Sequence, residues 1–271
     1  MSAPQGGVRL AVCAEMVYLD LPFEERVRRI TDRGFDVELW DTRRHDTGKL
    51  AATGATFSSM TGYSAGSVID PDSAADVLRT AAELIPTALE LGASRMVVHP
   101  AALIDGLAAR PAYRSAGRMW LTGLRTLEKL GALGERHGIT FVLENLNTAV
   151  DHPGIPLARA KDTLDLVEGA GHPNVKMMLD LYHAQIGEGN LIELLRRAQP
   201  HIGEVQVADV PGRCEPGTGE INYPAVARAL AEIGYEGTVG LEAWAESDSD
   251  LALDRFRAAF TVEASGLRPR P

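Results

Sequence analysis

Cysteine is scarce in this chain. Its 271 residues include two, Cys13 and Cys214, and their spacing forms no CxxC pair. That excludes a disulfide framework and makes a reducing compartment, the cytoplasm, the expected location. No run of about 18 apolar residues occurs, so no membrane span is expected. The opening MSAPQGGVRL has no apolar core for a secretory signal. Basic charge is in deficit, with 27 Lys plus Arg against 37 Asp plus Glu and a net charge of −10. A nucleic-acid surface is therefore not expected, and an anionic small substrate would need a local cation or arginine to receive it. No composition break marks a second domain. Residues 1–271 read as one domain, with 265–271 a tail expected to fray.

What the chain does have is alternation. Short, nearly continuous apolar runs lie at 8–16, 36–41, 55–62, 95–101, 140–146, 175–181, 203–210 and 238–244. Such runs suit parallel strands covered by helices. Amphipathic patterns lie between them, at 22–33, from Asp70–Pro71 to Gly92, at 111–137, 157–169, 190–198, 224–233 and 249–264. The connection after the third run, GYSAGSVIDPDS, is poorly resolved by pattern. Eight strand–helix units in about 250 residues predict an α/β fold, a (β/α)8 barrel whose functional groups gather at the C-terminal strand ends.

Four of those ends carry polar residues: Glu144 in TFVLENLN, Asp180 in VKMMLDLYHAQ, Gln206 in GEVQVADV and Glu242 in GTVGLEAW. Neighbouring strands are about 4.8 Å apart, so these four can reach one ion. Three carboxylates and an amide oxygen suit Mg²⁺ or Mn²⁺ better than zinc, which prefers His and Cys. The competing account, three separate salt bridges, leaves the common level of the four residues unexplained. A substrate with adjacent hydroxyl and carbonyl oxygens could chelate such an ion. Glu144 and Glu242, from opposite sides of the ring, could then move a proton between adjacent carbons through a metal-stabilised enediolate.

The segments LENLN, DLYHAQIGEGNL, QVADVPGRCEPGTGEINYP and GLEAW, together with AEMVYLDLPFEERV, resemble the hydroxypyruvate isomerase family of the xylose-isomerase-like barrels. The resemblance covers nearly the whole chain. It implies an aldose–ketose isomerase with one divalent metal, two catalytic glutamates matching Glu144 and Glu242, and ligands matching Glu144, Asp180, Gln206 and Glu242. The implied substrate pair is hydroxypyruvate and tartronate semialdehyde. A 2-oxo-tetronate, or a free sugar undergoing isomerisation or 3-epimerisation, would use the same site. A remote alternative is an abasic-DNA phosphoesterase, which the acidic charge opposes.

Three further residues are expected at the substrate. His183 follows Asp180 by three residues, where related ketose epimerases place a substrate-binding histidine; a capping role is its alternative. His99 closes the fourth run in VVHPA, with Pro100 where many related barrels carry glycine. Arg213, in PGRCEPGTGE, offers a fork for a carboxylate, against pairing with Glu215 or Glu220 at the surface. Trp40, Tyr63 and Trp244 could line a pocket, while Trp120 sits at core spacing. Glu15 and Glu38 could face the pocket or pair with basic residues. His45, His137, His152, His172 and His201 read as loop, helix or surface positions. A homo-oligomer is left open.

Overall fold

Each apolar run becomes a strand with one face toward helices and one toward the barrel axis. The computed structural model describes residues 7–104, 107–108 and 115–261. The strands are β1 (Arg9–Cys13), β2 (Asp36–Leu39), β3 (Phe57–Thr61), β4 (Arg95–Val98), β5 (Thr140–Glu144), β6 (Val175–Asp180), β7 (Ile202–Val207) and β8 (Thr238–Leu241). All pair in parallel, in the closed order β1-β8-β7-β6-β5-β4-β3-β2 with β2 back on β1. A short antiparallel pair, Leu103–Ile104 with Leu107–Ala108, lies outside the barrel.

Side chains alternate along every strand. Phe141 and Leu143, Leu179, Val205 and Leu241 pack outward in the main core shared with the helices. Val97, Val142 and Met178 form a separate cluster. The residues that continue this second set along β5 and β6 are Glu144 and Asp180, so the alternation that buries the core also aims the acids inward. Each fully buried Leu or Val contributes roughly 1.5–3 kcal/mol, which anchors the strand ends.

The helices are α1 (Phe23–Asp32), α2 (Thr47–Ala51), α3 (Ala74–Leu91), α4 (Ala116–His137), α5 (Ala160–Ala170), α6 (Leu181–Gly187), α7 (Leu191–Ala198), α8 (Tyr223–Glu232) and α9 (Ser249–Phe260). Several expected boundaries shift: α5 begins at Ala160 rather than 157, and two others have a visible side-chain cause. Asp70 and Pro71 form a turn, its Oδ1 and Oδ2 accepting from Asp72 N and Ser73 Oγ, and α3 begins only at Ala74. The sixth run ends at Asp180 rather than 181, because the Asp180 carboxylate accepts from His183 N at 2.8 Å and starts α6 at once. The expectations for 109–114, for α9 beyond 261 and for the tail 265–271 fall outside the described residues. Among the described residues, no helix is long and apolar enough to cross a membrane.

Candidate active site

Register decides which strand-end residues meet. Between β6 and β7 the pairing slips after Met177, from Ile202 to Glu204, leaving Gly203 over. A one-residue slip turns every later side chain to the other face. Here it brings Gln206 opposite Asp180. A side chain at Gly203 would press into Lys176 and Val142 at 2.8 Å, so the bulge needs glycine.

Glu144, Asp180, His183 and Glu242 offer ligand atoms that all lie within 4.8 Å of one another. All four are buried. A cavity of about 470 Å³ opens above them, lined by Glu144, His183, Gln206, Arg213, Glu242 and His99 among others. Thus the structure brings together all seven residues expected at the site.

Burial pushes the Asp180 carboxyl well above its usual range; Glu242 adds to this and Arg213 opposes it. Burial likewise raises Glu242, with Arg213 opposing and Glu144 reinforcing. Three carboxyls crowded out of water are unfavourable unless something positive joins them. The amide of Gln206 points the same way. Its Nε2 donates to Glu38 Oε2 at 3.5 Å, and its buried Oε1 has no partner among the described residues. Three carboxylates and a free amide oxygen are the donor set a hard divalent cation takes. Glu38 itself lies inside the barrel, at 2% exposure, raised by burial and by Glu204. It fits because residue 240 is glycine; a Cβ there would meet Glu38 Oε1 at 1.8 Å.

Glu144 and Glu242 are held by different partners. Glu144 Oε2 lies 2.9 Å from His99 Nε2, and Tyr63 Oη lies 2.9 Å from His99 Nδ1. Glu242 Oε1 accepts from Trp40 Nε1 at 2.5 Å. Its Oε2 accepts from Arg213 Nη2 at 2.6 Å. The surface alternative for Arg213 does not hold: Glu215 pairs with Arg255 and Glu220 accepts from Gln185. Arg213 sits instead over the Tyr182 ring, 5.2 Å from its centroid, with Asp151 3.9 Å away. Trp244 stands edge-on to Trp40 at 6.3 Å, and Trp120 packs against the core. Among the described residues Glu15 has no basic partner and does not line the cavity; its Oε1 accepts from Trp40 N at 2.8 Å.

His183 is fully buried, and burial followed by Arg213 holds its imidazole well below the usual range, hence neutral. Among the described residues its Nε2 has no hydrogen-bond partner; Glu144 Oε1 and Asp180 Oδ2 are 3.9 and 3.8 Å away. Sequence reading missed three residues around it. His152, read as a loop or surface position, is 9% exposed, lines the cavity and stacks edge-on to His183 at 5.0 Å. Asn147 and Asp151 hold His183 from behind. The one signal for them was the polar string after a buried strand, N-L-N, where Asn145 also accepts from Asp180 N at 3.0 Å.

The xylose isomerase-like TIM barrel family matches residues 25–260 of the chain. The chain belongs to that family. A 2-oxo-tetronate isomerase of Haemophilus influenzae is 32% identical over 238 residues, 88% of this chain and 84% of that protein. A candidate hydroxypyruvate isomerase of Danio rerio is 29% identical over 150 residues, so the chain spans 54% of that relative's length. Among solved structures, an AP endonuclease, family 2, from Brucella melitensis superposes with a TM-score of 0.82 at 26% identity, over 93% of this chain and 98% of that one. D-psicose 3-epimerase with D-tagatose from Clostridium cellulolyticum H10 gives a TM-score of 0.75 at 20% identity, over 94% and 100% of the two chains, and so shares the fold.

Proposed function

We propose that this protein is an isomerase of short hydroxy-keto acids that moves a proton between adjacent carbons with one divalent cation, Mg²⁺ or Mn²⁺. The observation that carries the reading is the pair Glu144 and Glu242, buried in one cluster yet oriented by separate partners. Relatives named as isomerases match most of the chain and support the same class.

Glu144, Asp180, Gln206 and Glu242 would hold the ion, which when bound draws electron density from the substrate carbonyl and acidifies the neighbouring C–H. One glutamate removes that proton on its side of the cavity. The other returns a proton to the adjacent carbon, while the hydroxyl proton passes from one oxygen to the next. For hydroxypyruvate the proton leaves C3 and enters C2, giving tartronate semialdehyde with no outside oxidant or reductant. His99 donates to Glu144 and keeps that carboxylate in place. Arg213 lines the cavity with its Nε unpartnered, and its fork would receive the substrate carboxylate.

A four-carbon 2-oxo-tetronate is a second reading of the same chemistry. It is favoured by the Haemophilus relative, which matches along most of its length, and by a cavity of about 470 Å³, roomy for a three-carbon acid. Abasic DNA suits the site poorly, because the protein carries a net charge of −10. We also propose a cytoplasmic location, where the two cysteines would stay reduced. The test is a substrate panel of hydroxypyruvate, 2-oxo-tetronate and D-psicose, followed by NMR with EDTA-treated protein before and after Mg²⁺ or Mn²⁺. Activity on an acid that vanishes with EDTA and returns with either ion is expected. Full activity in protein shown to be metal-free would refute the reading.

A further inference from the structure

His183 lies close enough to the three carboxyls to be a fourth metal ligand. Whether it can be one depends on which ring nitrogen carries hydrogen. A ligand needs a lone pair on Nε2, the nitrogen that faces Glu144 and Asp180. A neutral imidazole with its hydrogen on Nε2 offers that face a donor instead.

The buried side chain of Asn147 settles this. Its Oδ1 accepts from Val150 N at 2.9 Å and Asp151 N at 3.1 Å. Its Nδ2 donates to Asp151 Oδ2 at 2.5 Å. A reversed amide would face its NH₂ to two N–H donors and its oxygen to a carboxylate, so the orientation is fixed from both ends. The second Nδ2 hydrogen then meets His183 Nδ1 at 2.7 Å. Nδ1 must accept. The ring hydrogen is therefore on Nε2, whose lack of a protein partner leaves it free for a ligand oxygen.

We propose that Asn147 is a positioning residue that fixes the Nε2–H tautomer of His183 and so keeps that ring out of the metal's ligand set. This rests on the metal-site reading above for its second half only; the tautomer stands without any ion. An oxygen-only ligand set would favour hard ions over zinc, since nitrogen ligands favour zinc. Aspartate at 147 cannot donate. In Asn147→Asp, His183 would turn its hydrogen to Nδ1 and offer Nε2 as a ligand. The paired change Asn147→Asp with Asp151→Asn keeps the charge and the contact between the two side chains, and serves if the single variant folds poorly.

Three measurements test it. Long-range ¹H–¹⁵N NMR of the metal-free wild type should show His183 protonated at Nε2 and bare at Nδ1; a proton on Nδ1 would overturn the proposal. Pulsed EPR with Mn²⁺ alone should show no directly bound ¹⁴N in wild type and a bound ¹⁴N in the paired variant. The Zn²⁺-over-Mg²⁺ affinity ratio should rise about tenfold or more in that variant, within the usual reach of residues behind a metal's ligands. Bound nitrogen in wild type, or an unchanged ratio in a variant that still binds Mn²⁺, would also overturn it. Wild type that binds no Mn²⁺ while showing the Nε2–H tautomer would sink the metal reading and the ligand half of the proposal, leaving the tautomer assignment intact.

Discussion

The two halves of the barrel wall share parallel pairing and differ at their C-terminal ends. On the β5–β8 half stand Glu144, Asp180, Gln206 and, one residue past β8, Glu242. On the other half β2 is followed by Trp40 and β4 by His99, while Tyr63 lies two residues past β3. The halves meet in hydrogen bonds: Trp40 donates to Glu242, and His99 pairs with Glu144. The first half supplies the clustered carboxylates, and Trp40 and His99 of the other help to set their direction. Losses should therefore be steep on the first half and shallow on the second.

The steepest loss belongs to the two glutamates. Glu144→Gln and Glu242→Gln keep the shape and remove the base, so kcat should fall about 10²-fold or more in each. Metal content measured in the same samples separates lost chemistry from lost ion. A variant with bound metal and near-native kcat would strip that glutamate of its role and level the two halves.

Arg213 comes next, because from the loop after β7 it holds Glu242 and also lines the cavity. A lysine's point charge cannot replace the guanidinium fork. Losing one charge-assisted hydrogen bond is worth about 1.5–3 kcal/mol. On hydroxypyruvate or 2-oxo-tetronate, kcat/KM of Arg213→Lys should drop roughly 10- to 150-fold by that measure. A neutral ketose should lose less, since it forfeits only the contact to Glu242. Equal losses on acid and sugar would leave Arg213 as a partner of Glu242 alone.

The smallest effect is expected at Tyr63, two steps from the chemistry. Tyr63→Phe removes a neutral hydrogen bond to His99, worth about 0.5–1.5 kcal/mol, so kcat should fall roughly two- to tenfold. A loss as large as that of Glu144→Gln would mean that His99 and Tyr63 move protons themselves, and the division between the halves would fail.

The sequence was most legible where one physical rule acts alone. Strands covered on both faces read as unbroken apolar runs, and all eight appear where the runs lie. The acids were legible because a charge inside such a run is costly without a reason. Helix α6 was hidden because Leu181, Tyr182 and Ala184 continue the apolar run while Asp180 ends the strand with its side chain. Arg213 was placed in the site but not on Glu242; its backbone at φ 55 turns it inward, which no local pattern reveals. Glu38 stayed ambiguous because its fit depends on a glycine in β8, 202 positions along the chain. Asn147 and His152 belong to a loop, and the direction of a loop side chain is set by what it packs against.

Whether two separate glutamates carry a proton between neighbouring carbons is decided by running the reaction in D₂O. The protein, supplied with Mn²⁺, would convert unlabelled hydroxypyruvate or 2-oxo-tetronate while NMR follows the carbon that receives the proton. Two bases that exchange with solvent predict deuterium at that carbon in most of the first product formed. Product that keeps the substrate's own hydrogen there in full would contradict the account and point to hydride transfer instead.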